Sequence, residues 1–362
     1  MPKVKLAIYC DNGFIETFTK AHLEQLKPDY VFSGSPYPKT INGNPLETDT
    51  LFSAIKRRIA GKAINPLEAF RESLLQARPS VFIAEYGVSA AAIIDVVQDL
   101  NIPLIVNFYG YDAFNRDVVS KHKVAYKKVF DYAAFVCAQS NSIKLELIAM
   151  GCKPEKIVIN PVPPNDAFFQ LAANPNSNTL IAVGRFVNKK APFAVLLAFQ
   201  RVLAHVPSAK LIMIGDGPLF FSCSQMSVML GIAESIEFTG RLNPEQQREC
   251  MQRAAIFIQH SVVGPDGDSE GLPLAIMEAS AMGMPIVSTL HSGIPEAVED
   301  GLTGLLSPEF DADAMATNII RLLTNPAEGI EMGTKGKKKM QVSFRMETHI
   351  ENLRQLVAKT SR

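Results

Sequence analysis

The sequence predicts an α/β chain of two doubly wound, Rossmann-like domains. Three observations predict it. Short β-branched or aliphatic runs alternate with segments of helical period along most of the chain. A Pro- and Asn-rich stretch interrupts that alternation near the middle. The 362 residues suit two domains of about 150–200 residues better than one. With 47% apolar and 20% charged residues, the chain can fill two cores and is not disordered.

The first set of strands is expected at Val4–Tyr9, Tyr30–Ser33, Val81–Ala84, Pro103–Phe108, Ala134–Ala138 and Lys156–Ile159. The second is expected at Leu180–Val183, Lys210–Ile214, Ile236–Thr239, Ala255–Gln259, Pro285–Ser288 and Gly304–Leu306. Each run is followed by a helix-like segment, such as Pro192–His205 or Pro273–Met282, so the strands read as parallel with both faces covered. The hinge is expected within Asn160–Thr179, which ends just before the Leu180 strand. The domains therefore read 1–165 and 166–340, with a last segment 341–362. A cleft between two such domains, at the carboxyl ends of their strands, is the expected ligand site.

Lys plus Arg and Asp plus Glu both number 36, a net charge of zero. That balance excludes a protein that coats nucleic acid, but not a local anion site. Cys10, Cys137, Cys152, Cys223 and Cys250 form no CxxC pair, so neither a disulfide framework nor a zinc site is expected, and a reducing compartment is. The opening MPKVKLAIYCDNGF reads as a buried strand rather than a signal peptide. No run approaches ~18 apolar residues, so nothing is expected to span a membrane.

The first strand leads into Cys10-Asp11-Asn12-Gly13-Phe14, not GxGxxG, and there is no Walker A sequence, so NAD is not expected. Gly215-Asp216-Gly217-Pro218 reads as a tight turn. Anion-binding devices occur elsewhere. In Val183–Lys190, Gly184 ends a strand and Arg185 and Lys190 follow it around a turn. Two such cations suit a diphosphate, or are solvated loop cations. In Asp266–Glu278 a Gly-containing loop runs into a helix with Leu272 and Pro273 at its early positions. Pro is tolerated there, and the free N–H groups of a helix start bind phosphate. Glu270 lies before that helix and Glu278 about one and a half turns inside it. Both can accept pairs of hydroxyl hydrogen bonds from a sugar. Alternatively Glu270 only complements the helix dipole, although Glu278, in a mostly apolar helix, wants a partner.

These residues carry a resemblance. Glu270 and Glu278 form the E-x7-E pattern of retaining GT-B glycosyltransferases of family four (glycosyl transferases group 1), and DGDSEGLPLAIMEASAMGMPIVSTLHSGIPEAVEDGLTGLL, VGRFVNKKAP, LIMIGDGP and IEFTGRL are similar to that family's signatures. The likeness is strong over Leu180–Leu306 and weaker around Glu16-Thr17-Phe18 and Asn107–Asp112. It implies a GT-B fold with a helix around Thr348–Lys359 packed back on the first domain. It implies transfer of a sugar from a UDP- or GDP-linked donor to a glycan or lipid-linked hydroxyl, with no metal and no further cofactor. By position it makes Arg185 and Lys190 the diphosphate clamp, Glu278 the ribose ligand and Glu270 the acid beside the donor sugar. The N–H groups of Gly271, Leu272 and Leu274 would hold the phosphates, Gly184 would line the donor site, Arg241 would lie near the base, and Gly13 would let the first loop approach the diphosphate. Polysaccharide or lipopolysaccharide assembly on the cytoplasmic side of the inner membrane follows by analogy.

One departure stands out. Relatives carry His in F-H-G-x-D; this chain has Tyr109 there, with Asp112 in place. Tyr can donate to a hydroxyl or phosphate oxygen but cannot serve as an imidazolium. Rival readings are a non-catalytic nucleotide-sugar-binding subunit and a GT-B epimerase or phosphorylase. His260 and His291 flank the second motif and are read as polar loop or core residues, and Gly293–Glu296 as a helix start. Leu51–Lys62, with Lys56-Arg57-Arg58 among apolar residues, reads as a basic amphipathic helix: a peripheral membrane contact or a solvated face.

Overall fold

The structure, a computed structural model, describes residues 4–11, 17–46 and 65–361. Gly13, Glu16 and the basic Leu51–Lys62 segment lie outside the described residues. The chain forms two compact units, Met1–Asn160 with Glu347–Arg362, and Pro161–Met346. The first division falls five residues before the expected 165/166. Asn160 is still tied to the first unit, because its amide donates to the His349 carbonyl (3.3 Å) and accepts from Asn352 (3.1 Å).

In the first unit the strands are β1 (Leu6–Cys10), β2 (Tyr30–Ser33), β3 (Thr40–Ile41), β4 (Asn44–Pro45), β5 (Val81–Glu85), β6 (Leu104–Phe108), β7 (Phe135–Ala138) and β8 (Ile157–Ile159). They form one sheet in the order β4-β3-β2-β1-β5-β6-β7-β8. β1, β5 and β6 are buried along their whole length, which is why they read as unbroken apolar runs. The expectation that a helix follows every run fails after β2. There β3 and β4 make an antiparallel hairpin, turned by Asn42 (φ 51°) and Gly43 (φ 81°). Asn-Gly is the pair that such a two-residue turn requires, so the signal was in the sequence.

The helices of this unit are α1 (Thr17–Leu26), α2 (Pro66–Ala77), α3 (Gly87–Asp99), α4 (Tyr111–Phe114), α5 (Arg116–Tyr132) and α6 (Asn141–Ala149). Polar caps start several of them: Asn115 accepts from Val118 N–H, and Ser140 from Ile143 N–H.

The second unit holds β9 (Thr179–Val183), β10 (Lys210–Ile214), β11 (Ile236–Gly240), β12 (Ile256–Ile258), β13 (Ile286–Thr289) and β14 (Gly304–Ser307). They are ordered β11-β10-β9-β12-β13-β14, with parallel pairing. Its helices are α7 (Pro192–His205), α8 (Phe220–Met229), α9 (Pro244–Arg253), α10 (Leu274–Ala281), α11 (Ile294–Ala297), α12 (Ala312–Thr324) and α13 (Pro326–Ser343). α14 (Met346–Thr360) closes the chain, and its Leu353 and Leu356 join the core formed by Leu6, Ile8 and Ile83 of the first unit.

Each sheet has a switch point. In the first unit the chain leaves β1 for β2 on one side and returns to β5 on the other; in the second, β9 is flanked by β10 and β12. The crevice beyond the carboxyl ends at such a reversal is where open α/β sheets bind ligands. Among the described residues, no helix is long and apolar enough to cross a membrane.

Candidate functional site

The second unit's site starts where β9 ends. Gly184 N–H donates to the Ile214 carbonyl and Phe186 N–H to that of Asp216 (3.0 and 2.8 Å), so the exit turns of β9 and β10 lie against each other. Glycine makes that approach possible. Gly215 (φ 134°) has no room for a side chain, since a Cβ there would stand 2.0 Å from the Gly184 carbonyl oxygen. Phe186 is buried beneath the turn against Phe220, with ring centroids 5.0 Å apart, while the neighbouring Arg185 is exposed.

Two successive lysines then pin the loop that leads into α10. Lys189 Nζ lies 3.0 Å from Asp268 Oδ1 and donates to the Ser269 carbonyl at 3.1 Å. Lys190 Nζ lies 3.0 Å from Glu270 Oε1. The Lys190 stem packs over Gly184, its Cε 3.4 Å from where a Cβ would stand, an ordinary contact. Lys189 was not among the residues expected from the sequence. Its burial is legible only once Asp268 is folded beside it.

Glu270 is 6% exposed. Burial pushes its carboxyl up, but the charges of Lys190 and Lys189 outweigh it and hold Glu270 below the usual carboxylate range. Its own N–H donates to His291 Nε2 (3.1 Å), while His291 Nδ1 lies 2.6 Å from Glu309 Oε1. With Nε2 accepting, Nδ1 is the ring nitrogen that donates to the Glu309 carboxylate. His291, read from the sequence as an ordinary polar residue, thus orients the backbone of Glu270. Burial pulls the Lys190 ammonium below its ordinary value, with Glu270 opposing the change.

α10 begins at Leu274, one residue after Pro273, so Leu272 and Pro273 precede the helix rather than open it. Ile276 and Met277 N–H close on the Pro273 carbonyl. Gly271, Leu272 and Leu274 therefore line the approach to a helix N-terminus, where backbone dipoles favour an anion. Glu278 is buried within α10, with Gln247 Nε2 at 3.5 Å. Burial pushes its carboxyl up to about 8, with only partial opposition from Arg248. Arg241 is 79% exposed and 3.3 Å from Asp216. A small pocket at the β9 and β12 ends is lined by Gly184, Arg185, Lys190 and Gln259.

The first unit carries Tyr109 and Asp112 just beyond β6. Asp112 is fully buried, and its carboxylate accepts three backbone N–H groups: Gly87 (2.7 Å), Tyr109 (2.9 Å) and Gly110 (3.1 Å). It shapes this loop. The Tyr109 hydroxyl is hydrogen-bonded to Glu85 Oε2, which also accepts from Asn107 (2.9 Å). Glu85 Oε1 lies 2.7 Å from His22 Nδ1, and His22 Nε2 lies 2.7 Å from His349 Nε2. Sequence reasoning missed Glu85, His22 and His349. A charged residue ending the apolar run Val81–Ala84 was the one available signal.

Comparison with known proteins agrees with this architecture. Residues 165–339 match the model of the family described as glycosyl transferases group 1. WcaL of Salmonella typhimurium, named as a colanic acid biosynthesis glycosyltransferase, is 30% identical over 270 residues, which are 73% of this chain and 66% of that protein. The amylovoran biosynthesis glycosyltransferase AmsK of Erwinia amylovora is 28% identical over the same shares, 73% and 66%. The chain spans just under two thirds of the length of these relatives. Anabaena Alr3699/HepE, solved in complex with UDP and glucose, has a TM-score of 0.77 at 15% identity, covering 99% of this chain and 100% of that one. The shared fold is the GT-B class expected from the sequence.

Proposed function

We propose that this chain, which belongs to the glycosyl transferases group 1, transfers a sugar from a nucleoside-diphosphate donor to a hydroxyl of a glycan or lipid-linked acceptor. The reaction retains the anomeric configuration, uses no metal ion, and serves cell-surface polysaccharide or lipopolysaccharide assembly at the cytoplasmic face of the membrane. The observation that carries the reading is the pair of half-buried Lys190 and buried Glu270 beside exposed Arg185. It sets positive charge for a diphosphate and a carboxylate for sugar hydroxyls at one switch point. The names of WcaL and AmsK and the UDP and glucose held by HepE support it as analogies.

In this reading the bond from the sugar's C1 to the β-phosphate oxygen lengthens first, and its electron pair passes to the phosphate. Arg185 and Lys190 neutralise that growing charge, with the backbone N–H groups of Gly271, Leu272 and Leu274 helping. Lys190 turns from Glu270 toward the diphosphate, and sugar hydroxyls take its place on Glu270. Glu278 accepts from the ribose hydroxyls. The acceptor oxygen bonds C1 on the face the phosphate leaves, and its proton passes to the departing phosphate.

Titration calorimetry with UDP and GDP tests the site. Undiminished affinity in both Arg185→Ala and Glu278→Ala would sink it. Proton NMR of the product's anomeric coupling, compared with that of the donor sugar, decides retention.

A further inference from the structure

The end of the chain is fastened to the first unit by two buried imidazoles that the reaction above leaves unused. His22 stands on α1 and His349 in the first turn of α14, and both belong to the first unit. They are 1% and 5% exposed. Their Nε2 atoms lie 2.7 Å apart, with ring centroids 5.0 Å apart and planes 18° from parallel. At that separation the two ring edges meet head on, nearly in one plane. So short a contact between nitrogens holds a single proton, which one ring donates and the other accepts.

His22 Nδ1 lies 2.7 Å from Glu85 Oε1, at the end of β5. Burial pushes the Glu85 carboxyl up, but the charge and hydrogen bond of His22, with hydrogen bonds from Tyr109 and Asn107, hold it below its ordinary value. It therefore stays ionised at neutral and mildly acidic pH. The other ionisable groups set around this carboxylate are Tyr109 beyond β6, Cys10 on β1 and Cys137 on β7. Burial, joined by the charge of Glu85, pushes all three up, Cys137 to about 12, so they stay neutral. Lys20 and Glu24 on α1, and Glu347 and Glu351 on α14, are exposed. Between about pH 8 and about pH 5 the two imidazoles are thus the groups of this cluster that change charge.

We propose that His22 and His349 form an acid-released clasp, which holds α14 on the first unit while one proton lies between the facing nitrogens and frees it when a second is taken up. The second proton sets two N–H groups and two positive charges against each other across 2.7 Å. His22 keeps its charge, because Glu85 pairs with it. His349 is the ring expelled, since a positive charge in the first turn of a helix opposes the helix dipole. The His349 carbonyl and the Asn352 amide are both tied to Asn160, where the chain leaves the first unit. Release therefore loosens the last helix and that exit together. Tyr109 and Asn107 stay on Glu85, so the end of the sheet is kept. The clasp needs no nucleotide or sugar and stands apart from the transfer reaction.

Hydrogen exchange of the full chain, corrected for the intrinsic effect of pH, tests it. From about pH 7.5 to about pH 5, protection at the start of α14 should fall about tenfold or more, the worth of one buried hydrogen bond. Helices α7 and α12 of the second unit should keep theirs. His349→Gln should abolish the fall, because an amide can turn to donate to a neutral His22 or to accept from a charged one. Nitrogen NMR of the wild-type imidazoles decides independently of any variant. A second proton taken up over that range supports the clasp, and a single proton held throughout overturns it. Unchanged protection of α14 in the wild type, the same fall in His349→Gln, or a fall shared by every helix of the chain also overturns it.

Discussion

Lys190 Nζ stands 3.0 Å from Oε1 of Glu270, and this contact joins the exit of β9 to the loop that leads into α10. Both side chains are largely withdrawn from water, at 17% and 8% exposure. An ion pair so placed matters most when one partner is removed, because the other is left as a buried charge.

Lys190→Met is therefore expected to destabilise the second unit by about 3 kcal/mol. The double variant Lys190→Met/Glu270→Gln should recover much of that loss. Urea unfolding of the four members of the cycle measures it. Additive losses would show that the two groups do not interact.

Glu278 gives the protein a pH dependence with a defined sign. Burial raises its carboxyl to about 8 in the folded chain, against about 4.3 unfolded. Between those values the folded form holds a proton that the unfolded form has lost, so stability falls as pH rises from about 5 to 8. The slope is at most about 1.4 kcal/mol per pH unit. Glu278→Gln removes it, and urea midpoints measured across that range should diverge between variant and wild type. Parallel curves would contradict the assignment.

The same carboxyl predicts a proton count on binding. Ribose hydroxyls donate to an ionised carboxylate, so UDP or GDP binding at pH 7 should drive Glu278 to release its proton. Calorimetry in two buffers of different ionisation enthalpy reads that release. Glu278→Gln should bind with no buffer dependence from this group.

His291→Ala leaves the buried N–H of Glu270 without its acceptor, which costs about 1–3 kcal/mol. Nucleotide affinity should drop with it, because the Glu270 backbone is no longer held. Glu309→Gln keeps an acceptor for His291 Nδ1 and should be much milder. Equal effects of the two substitutions would argue against an orienting role for His291.

Gly215→Ala places a methyl group 2.0 Å from the Gly184 carbonyl at a backbone angle that L residues avoid. It should cost at least about 2 kcal/mol and displace Arg185 with its turn. Thermal unfolding and UDP affinity should fall together.

Much of the frame was legible in the sequence. Strands buried on both faces write themselves as unbroken apolar runs, and most expected strands lie within a residue or two of those observed. The β3–β4 hairpin escaped because strands of two residues leave no periodicity, although Asn42-Gly43 marks its turn. Arg185, Lys190 and Glu270 stand out in the sequence as candidates because they follow a strand end or precede a helix start, where local chain geometry exposes backbone groups to an anion; Glu278 stands out as a carboxylate in a mostly apolar helix. Lys189 was missed because its neighbours along the chain say nothing of Asp268 or Ser269.

By itself the sequence determined the parallel strands of the two sheets and the places where backbone and charge could meet an anion, since these follow from local periodicity and from which residues end each element. Only the tertiary structure decided how the charges are spent. It gave Lys189 to Asp268 and Lys190 to Glu270, filled the Asp112 carboxylate with backbone N–H groups, and left Glu278 beside an amide with its carboxyl pushed up to about 8 by burial. It also brought His22, Glu85, Tyr109 and His349 together from positions up to 327 residues apart. The physical reason is that a side chain's ionisation and hydrogen-bonding role are set by burial and by neighbours in space, and neither is a property of sequence order.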